Sequence, residues 1–546
     1  MESKMMSNPT TEMHFKDKIP YKRVLQVMLF ALFPVVDYYR CAGNAWQMML
    51  AAQFMGTLLL GVILLNYGIK KLVKWYQIFW IVGSAVAIGT MPLWFYEEAI
   101  KYHFLYETWL AFGNLAVFGM ILTQITVDGL KDCRGGKKRE LAIKDIVLFG
   151  LWFAYILGAT IMKDNSFRPE FDLIFFSVFY LVPLEKENLK HIFQDLVNGV
   201  LIGFSVVQTV AFLFRPYVDG FLRYKGLYYN SNIFDLICLT MLIFVLVKLT
   251  QVRRRNAAKY VYFLWLLYYG IIFSLIVLSV GRLSIMLALV ITLVYGVVIG
   301  ITEKEGIRKL VLKTCSLGVA LVIALPLTFM MVAYMPRILN HPIIYPGEEE
   351  FVGDMEDPDN YVTVDEILEE LVGRFAKLIV TTEPQSEVVE NNEPEEPAEM
   401  DPDWEHKTYY LASKDYSGVE IRLAIWRTYL DDLNWTGHTI DQRELWVSPY
   451  YRAVHPHNIF IMQLHTYGIA VGGLFIAWMV CYTYSAFRYF MANRKSLEAA
   501  FILLVLMVVL GFGMFDCCWM NGQTIWVLLM FMQKYLWDRT GKNENK

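Results

Sequence analysis

Charged side chains are scarce in this sequence: they make up 18% of its 546 residues, whereas apolar types make up 56%. Soluble domains carry about 25% charged residues, so the composition excludes a water-soluble globular protein. Apolar runs of roughly bilayer-spanning length recur along the chain, thirteen of them clear and a fourteenth, at 171–184, weaker. We therefore predict an all-α fold, a polytopic transmembrane helix bundle of about 12–14 spans.

Cysteine is also scarce, with 7 residues scattered at no metal-finger spacing. This excludes a zinc finger and a disulfide framework. No small-residue cleavage pattern follows the first apolar run, so we expect that run to be retained as a span. The connections expected on the cytoplasmic side are all too short for an output domain, which disfavours a sensor.

Basic residues gather in alternate connections between the apolar runs, as at 70–74, 131–139, 253–255 and 304–313. Such clusters are typical of cytoplasmic loops. Fourteen spans put all of them on one side of the membrane, with both termini inside. We therefore expect a multi-pass protein of the cell (cytoplasmic) membrane.

The same alternation divides the chain into three regions. We expect an N-terminal transmembrane bundle at 1–335, an extracytoplasmic loop at 336–456 and C-terminal transmembrane helices at 457–546. The large loop is strongly acidic, because 348–405 carries a balance of −19 and leaves +16 for the rest of the chain.

Two parts of this loop have distinct compositions. The segment at about 381–403 is rich in Glu and Pro and predicts a disordered tether. The segment at about 418–432 mixes Ile, Leu and Trp with Arg and Glu, which favours a helix lying along the membrane surface. Asp-Pro-Asp at 357–359 and 401–403 imitates a metal-binding pair, but chance explains it in so acidic a stretch. We predict no metal.

His455-Pro456-His457-Asn458 stands where the acidic loop runs into the apolar segment that begins at Ile459. Histidine can take or give a proton near neutral pH, so one interpretation is a catalytic base at the membrane surface. The alternative is that His457 and Asn458 only cap a transmembrane helix.

Two arginines are further candidates. Arg282 lies in a tight turn between two apolar runs, and Arg422 lies one helical turn before Trp426 in the predicted surface helix. Each can clamp a phosphate with its planar donor fork. Each can equally contact lipid headgroups.

Five short patterns occur in one fixed order: Gly-Leu-Tyr-Tyr-Asn-Ser-Asn at 226–232, Gly-Arg at 281–282, Arg-Leu-Ala-Ile-Trp at 422–426, His-Pro-His-Asn at 455–458 and Gly-Ile-Ala-Val-Gly-Gly at 468–473. This ordered set resembles the O-antigen ligase and polymerase family. The resemblance covers about 226–475. Where the family often has Ser-Arg, this chain has Gly281-Arg282.

The resemblance implies inverting, metal-independent glycan transfer in cell-envelope polysaccharide biosynthesis. The donor would be a glycan linked to a polyprenyl diphosphate such as undecaprenyl diphosphate, and the acceptor a hydroxyl of a glycan or lipid on the outer face. It implies His457 as the catalytic base. The substrate-binding residues would be Arg282, Arg422, His455, Asn458, Arg215 and Arg223. No cofactor and no nucleic acid is expected.

The alternative is a multispan transporter or flippase of lipid-linked oligosaccharide. Such proteins usually have charged sites near the membrane midplane.

Overall fold

The computed structural model describes residues 21–41, 45–101, 105–134, 143–162, 169–184, 186–217, 223–228, 230–303, 306–345, 357, 362–379, 418–449, 451–517 and 524–540. The predicted tether at 381–403 lies outside these residues. So do the Asp-Pro-Asp pairs, except Asp357.

Helices dominate the described residues, which confirms the all-α prediction. They are α1 (Tyr21–Cys41), α2 (Ala45–Tyr67), α3 (Ile78–Lys101), α4 (Leu105–Arg134), α5 (Ile143–Ile161), α6 (Pro169–Leu181), α7 (Lys186–Phe214), α8 (Ser231–Arg254), α9 (Lys259–Leu278), α10 (Arg282–Thr302), α11 (Ile307–Leu339), α12 (Val364–Ile379), α13 (Gly418–Asp431), α14 (Ile459–Ala492), α15 (Leu497–Gly513) and α16 (Thr524–Thr540). Two short antiparallel strands, β1 (Leu445–Ser448) and β2 (Tyr451–Ala453), form a hairpin before α14.

Eight of these helices are long and apolar enough to cross a membrane, namely α2, α4, α7, α8, α9, α10, α11 and α14. The chain is therefore a multi-pass membrane protein by the length and composition of its helices. Eight is fewer than the 12–14 spans expected from the sequence. Within the described residues, five further helices have apolar stretches of only 10–17 residues, which accounts for most of the difference.

Helix α8 lies at the centre of the bundle. It packs against α7, α9, α10 and α15. Of its membrane-spanning segment, 89% is buried inside the protein. A central helix faces other helices rather than lipid, so its polar side chains require protein partners. The N-terminal end of α8 consequently becomes a place where polar groups meet.

A small subdomain sits on the start of α14. Ala424, Ile425 and Tyr429 of α13 pack with Val447 and Ala453 of the hairpin, and Ile461 of α14 completes this cluster. The Tyr429 hydroxyl lies 2.6 Å from the Arg443 carbonyl oxygen. These contacts hold α13 and the hairpin against the N-terminal end of α14.

Candidate functional site

Helix α14 begins with a side-chain cap. The Asn458 Oδ1 accepts hydrogen bonds from the backbone N–H groups of Phe460, at 3.0 Å, and Ile461, at 3.2 Å. Its Nδ2 donates to the Met514 carbonyl, at 3.1 Å. Asn458 is therefore the N-cap of α14, and it also ties α14 to the residues that follow α15.

His457 is not part of that cap. Its φ of 49° lies in the left-handed region, which is uncommon for residues other than glycine. Its backbone N–H donates to the His455 Nδ1, at 3.3 Å. The two imidazole rings meet edge to face with centroids 4.1 Å apart. The backbone turn at 455–457 therefore holds the two histidines as one pair, at the mouth of α14.

The surroundings keep this pair neutral. Burial, together with the neighbouring His455 and the positive charge of Arg422, lowers the pKa of His457 from 6.5 to about 4 against the opposing effect of Asp516. Burial also lowers the pKa of His455, again opposed by Asp516. The Nδ1 of His457 is buried without a hydrogen-bond partner among the described residues. At neutral pH the site therefore offers an uncharged imidazole that can accept a proton.

Asp516, which acts electrostatically on both histidines, begins a chain of polar contacts into the bundle. Asp516 follows the end of α15 and accepts a hydrogen bond from the Asn232 side-chain amide. The Asn232 Oδ1 in turn accepts from Arg223 Nη2, at 2.8 Å, and Arg223 Nε donates to the Ser279 carbonyl, at 2.9 Å. The start of α8, the end of α9 and the end of α15 thus converge on one region.

This arrangement corrects one local prediction. The simplest interpretation of the sequence makes Asn232 the N-cap of α8. The cap is instead Asn230, whose side chain accepts from the Asn232 backbone N–H at 2.7 Å. The side chain of Asn232 is thereby free to bridge Arg223 and Asp516.

A buried carboxylate lies one turn further along α8. The Ser284 hydroxyl donates to Asp235 Oδ2 at 2.6 Å, and Arg223 Nη2 lies 3.7 Å from the same oxygen. A Cβ added at Gly281 would come within 2.2 Å of it. A side chain at position 281 would therefore require Asp235 to move.

The turn between α9 and α10 carries Arg282. Val280 in this turn has a φ of 54°, a strained conformation for a β-branched residue. Arg282 is the half-buried first residue of α10, next to Gly281 and its contact with Asp235. Its backbone therefore lies at the same end of the bundle as Arg223 and the start of α8.

Arg215 is placed differently from the other predicted residues. Its side chain is fully buried, with Nε donating to the Gly226 carbonyl at 3.0 Å and Nη1 to the Ile343 carbonyl at 2.8 Å. The guanidinium also lies over the Tyr345 ring. These contacts fasten the segment before α8 to the segment after α11, and they leave Arg215 enclosed by protein.

The sequence interpretation omitted two carboxylates of this region. Asp235 stands within an otherwise apolar run, and an ionisable residue in such a run is itself a signal of function. Asp516 directly follows an apolar run and gave no comparable signal.

The comparisons with known proteins identify no relative. No family model matches this chain, and neither a curated protein nor a solved structure matches it.

Proposed function

We propose that this protein transfers a glycan from a polyprenyl diphosphate-linked donor to an acceptor hydroxyl, with inversion and without a metal in the reaction. The proposal rests on one observation: the His455–His457 pair is held neutral at the mouth of a helix long enough to span a membrane, within electrostatic reach of Arg422 and Asp516. The resemblance to the O-antigen ligase and polymerase family supports the same reaction.

His457 acts as the general base in this scheme. The acceptor hydroxyl loses its proton as it attacks the sugar, and a neutral imidazole with a buried, unpartnered Nδ1 can receive it. A pKa of about 4 in the free protein makes a weak base. An anionic diphosphate bound nearby favours the imidazolium and raises that pKa toward neutrality, so donor binding strengthens the base.

Arginines stabilise the leaving diphosphate. Arg422 is close enough to His457 to lower its pKa, and Arg282 and Arg223 lie at the end of the bundle where α8 and α10 begin. Helix N-termini add partial positive charge at the same place. Together these groups supply the positive charge that the diphosphate requires as its bond to the sugar breaks.

The helices around the site are long and apolar enough to cross a membrane, which suits a lipid-linked donor. The polyprenyl chain would remain in the bilayer while the diphosphate reaches the helix ends. We place this site on the outer face of the cell membrane, as the distribution of basic residues indicates, with the acceptor either a glycan or a lipid.

Transport or flipping of the lipid-linked oligosaccharide is the second candidate function. It is favoured by one observation, the fully buried Lys534 of α16, since buried ionisable residues of membrane helices often mark transport pathways. However, the Lys534 ammonium donates to the carbonyls of Tyr180, at 2.7 Å, and Val182, at 2.6 Å. These hydrogen bonds give Lys534 a structural role.

The lipid-linked glycan pool of a deletion strain distinguishes the two functions. Loss of a transferase leaves the donors stranded on the outer face, where an impermeant glycan-cleaving enzyme can digest them in intact cells. Loss of a flippase leaves them inside and protected. A pool that matches the parent strain in size and sidedness would contradict both functions.

A further inference from the structure

A second cluster of titratable side chains lies beyond the His455–His457 pair. Asp432 Oδ2 is 2.9 Å from His465 Nε2 and 3.1 Å from His438 Nε2. The side chains of His465 and His438 are only 2% and 9% exposed, while that of Asp432 is 45% exposed. Two buried imidazoles thus meet one carboxylate, and the cluster is open to solvent on the carboxylate side.

His465 follows His457 by eight residues, a spacing that would place both on one face of a continuous helix. His457 lies outside α14, whereas His465 lies within it and its ring stacks on that of His438, with centroids 3.9 Å apart. The cluster is therefore separate from the proposed base.

The backbone holds this cluster in place. Helix α14 is kinked at Gly468, where φ is 81°, and the loop that follows α13 packs directly on the kink. The His438 N–H donates to the Thr466 carbonyl at 3.2 Å, and the Ile469 N–H to the Asn434 carbonyl at 2.9 Å. A Cβ at Gly437 would come within 2.2 Å of the Thr466 oxygen. His438 and His465 are thus supplied by two backbone segments in direct contact.

The tautomer of His438 follows from its hydrogen bonds. Its Nδ1 lies 2.8 Å from the His465 backbone carbonyl, and a carbonyl oxygen only accepts, so Nδ1 carries a proton. In the neutral ring Nε2 then presents a lone pair. This is the arrangement of a metal-binding histidine, whose other nitrogen usually donates to a carbonyl or carboxylate.

Asn434 supports the same assignment. Its Oδ1 accepts the backbone N–H groups of Thr436, at 2.9 Å, and Gly437, at 2.6 Å, which fixes the orientation of the amide. Its Nδ2 therefore faces the His438 Nε2, at 3.0 Å. That nitrogen accepts a hydrogen bond and also faces the Asp432 carboxylate. With a neutral ring, two acceptors this close repel each other, and either a proton on Nε2 or a metal ion between them relieves the repulsion. A metal ion would also take the place of the Asn434 donor at Nε2.

We propose that Asp432, His438 and His465 bind a first-row divalent metal ion such as Zn²⁺. The candidate ligand atoms all lie within 4.8 Å of one another. Two imidazoles and one carboxylate are a common protein ligand set for zinc, with metal–ligand distances of about 2.0–2.2 Å and a fourth position for water. The stacked rings of His438 and His465 must rotate away from their parallel arrangement when the ion binds, because both Nε2 lone pairs have to point at one ion.

The ion would join two elements that carry residues of the proposed transferase site. Asp432 directly follows α13, and His465 belongs to α14, so one ion joins the end of the helix that carries Arg422 to the helix preceded by His457. No step of the proposed transfer passes through this ion. The metal site and the glycosyl transfer are thus independent proposals.

Metal content and stability test the site directly. The full chain is purified in detergent through a tag without histidine, its zinc content is measured by mass spectrometry, and its unfolding temperature is recorded with EDTA and after adding Zn²⁺. We expect about one zinc per chain, a lower unfolding temperature with EDTA, and recovery with Zn²⁺. Co²⁺ in place of Zn²⁺ should give the visible absorption of a tetrahedral site.

Variants identify the ligands. Asp432→Asn and His438→Gln should each weaken Zn²⁺ binding at least about 100-fold, and because Asp432 is partly exposed, its variant should still fold. His341→Gln removes an exposed histidine elsewhere and should bind zinc like the parent. A purified parent without zinc whose unfolding temperature ignores both EDTA and Zn²⁺ would overturn the proposal. Equal binding by Asp432→Asn, His438→Gln and the parent would also overturn it.

Discussion

Asp516 and Asn232 are 284 residues apart in the sequence, yet the Asn232 amide donates a hydrogen bond to the Asp516 carboxylate. The same carboxylate raises the pKa values of His455 and His457, against the larger effect of burial. Asp516 thereby connects the proposed base to Arg223 and to the start of the central helix α8.

His457→Ala should reduce the initial rate of transfer by about 10²- to 10⁴-fold, the usual contribution of a general base. Because the arginines are proposed to hold the diphosphate, the variant should still bind the donor. Transfer and donor binding are measured in proteoliposomes, with His341→Ala as the matched histidine control. Loss of donor binding along with transfer would make His457 a phosphate ligand, and full activity would leave it a structural residue.

Arg282→Lys and Arg422→Lys should each reduce transfer by about 10- to 100-fold, since lysine keeps the charge but loses the planar donor fork. Arg427→Lys is the control for Arg422→Lys, because Arg427 is an exposed residue of the same helix. Rates are compared at equal protein level. Full activity in both test variants would contradict phosphate binding by these residues.

The pH profile should report the low pKa of His457. The base is active when neutral, above its pKa, so kcat/KM for the free enzyme should fall only as the pH approaches about 4. The acid limb of the kcat profile should lie at a higher pH than that of kcat/KM, because bound diphosphate raises the pKa of His457. Asp516→Asn removes a carboxylate that raises the pKa, and should move the kcat/KM limb to still lower pH. An unmoved limb would exclude His457 as the titrating group.

Gly281→Ala should destabilise the protein by about 1–3 kcal/mol, the usual cost of overpacking. The added Cβ would lie 2.2 Å from Asp235 Oδ2, whereas a Cβ at Gly318 of α11 meets nothing within 4 Å. Gly318→Ala is therefore the control and should leave stability equal or slightly higher. Thermal unfolding in detergent measures both. Equal unfolding temperatures would show that the Gly281 contact relaxes without cost.

Protease added to intact spheroplasts should cut first within 348–403, in the acidic sequence on either side of α12, because the dense negative charge there disfavours a compact fold. A C-terminal epitope tag, detected by immunoblot, locates the cleavage. Cutting only after lysis would reverse the orientation and place the proposed site inside the cell.

Local sequence was sufficient for some features of the site. Asn458 caps α14 through the backbone N–H groups of Phe460 and Ile461, two and three residues away. His455 and His457 are two residues apart, so their pairing depends on one turn. Features of this kind are predictable because the groups involved are neighbours in the chain. The capping interpretation was correct for Asn458 and wrong for His457.

The sequence by itself determined the helical, membrane-embedded class of this protein, because apolar runs in a bilayer must satisfy their backbone hydrogen bonds internally. It could not determine which helices meet, since an apolar surface packs equally well against lipid or another helix. Only the tertiary structure placed Asp516 beside Asn232, enclosed Arg215 among backbone carbonyls, and brought Asp432 and His438 to His465. Those contacts join residues distant in sequence, so they depend on the packing of the whole bundle.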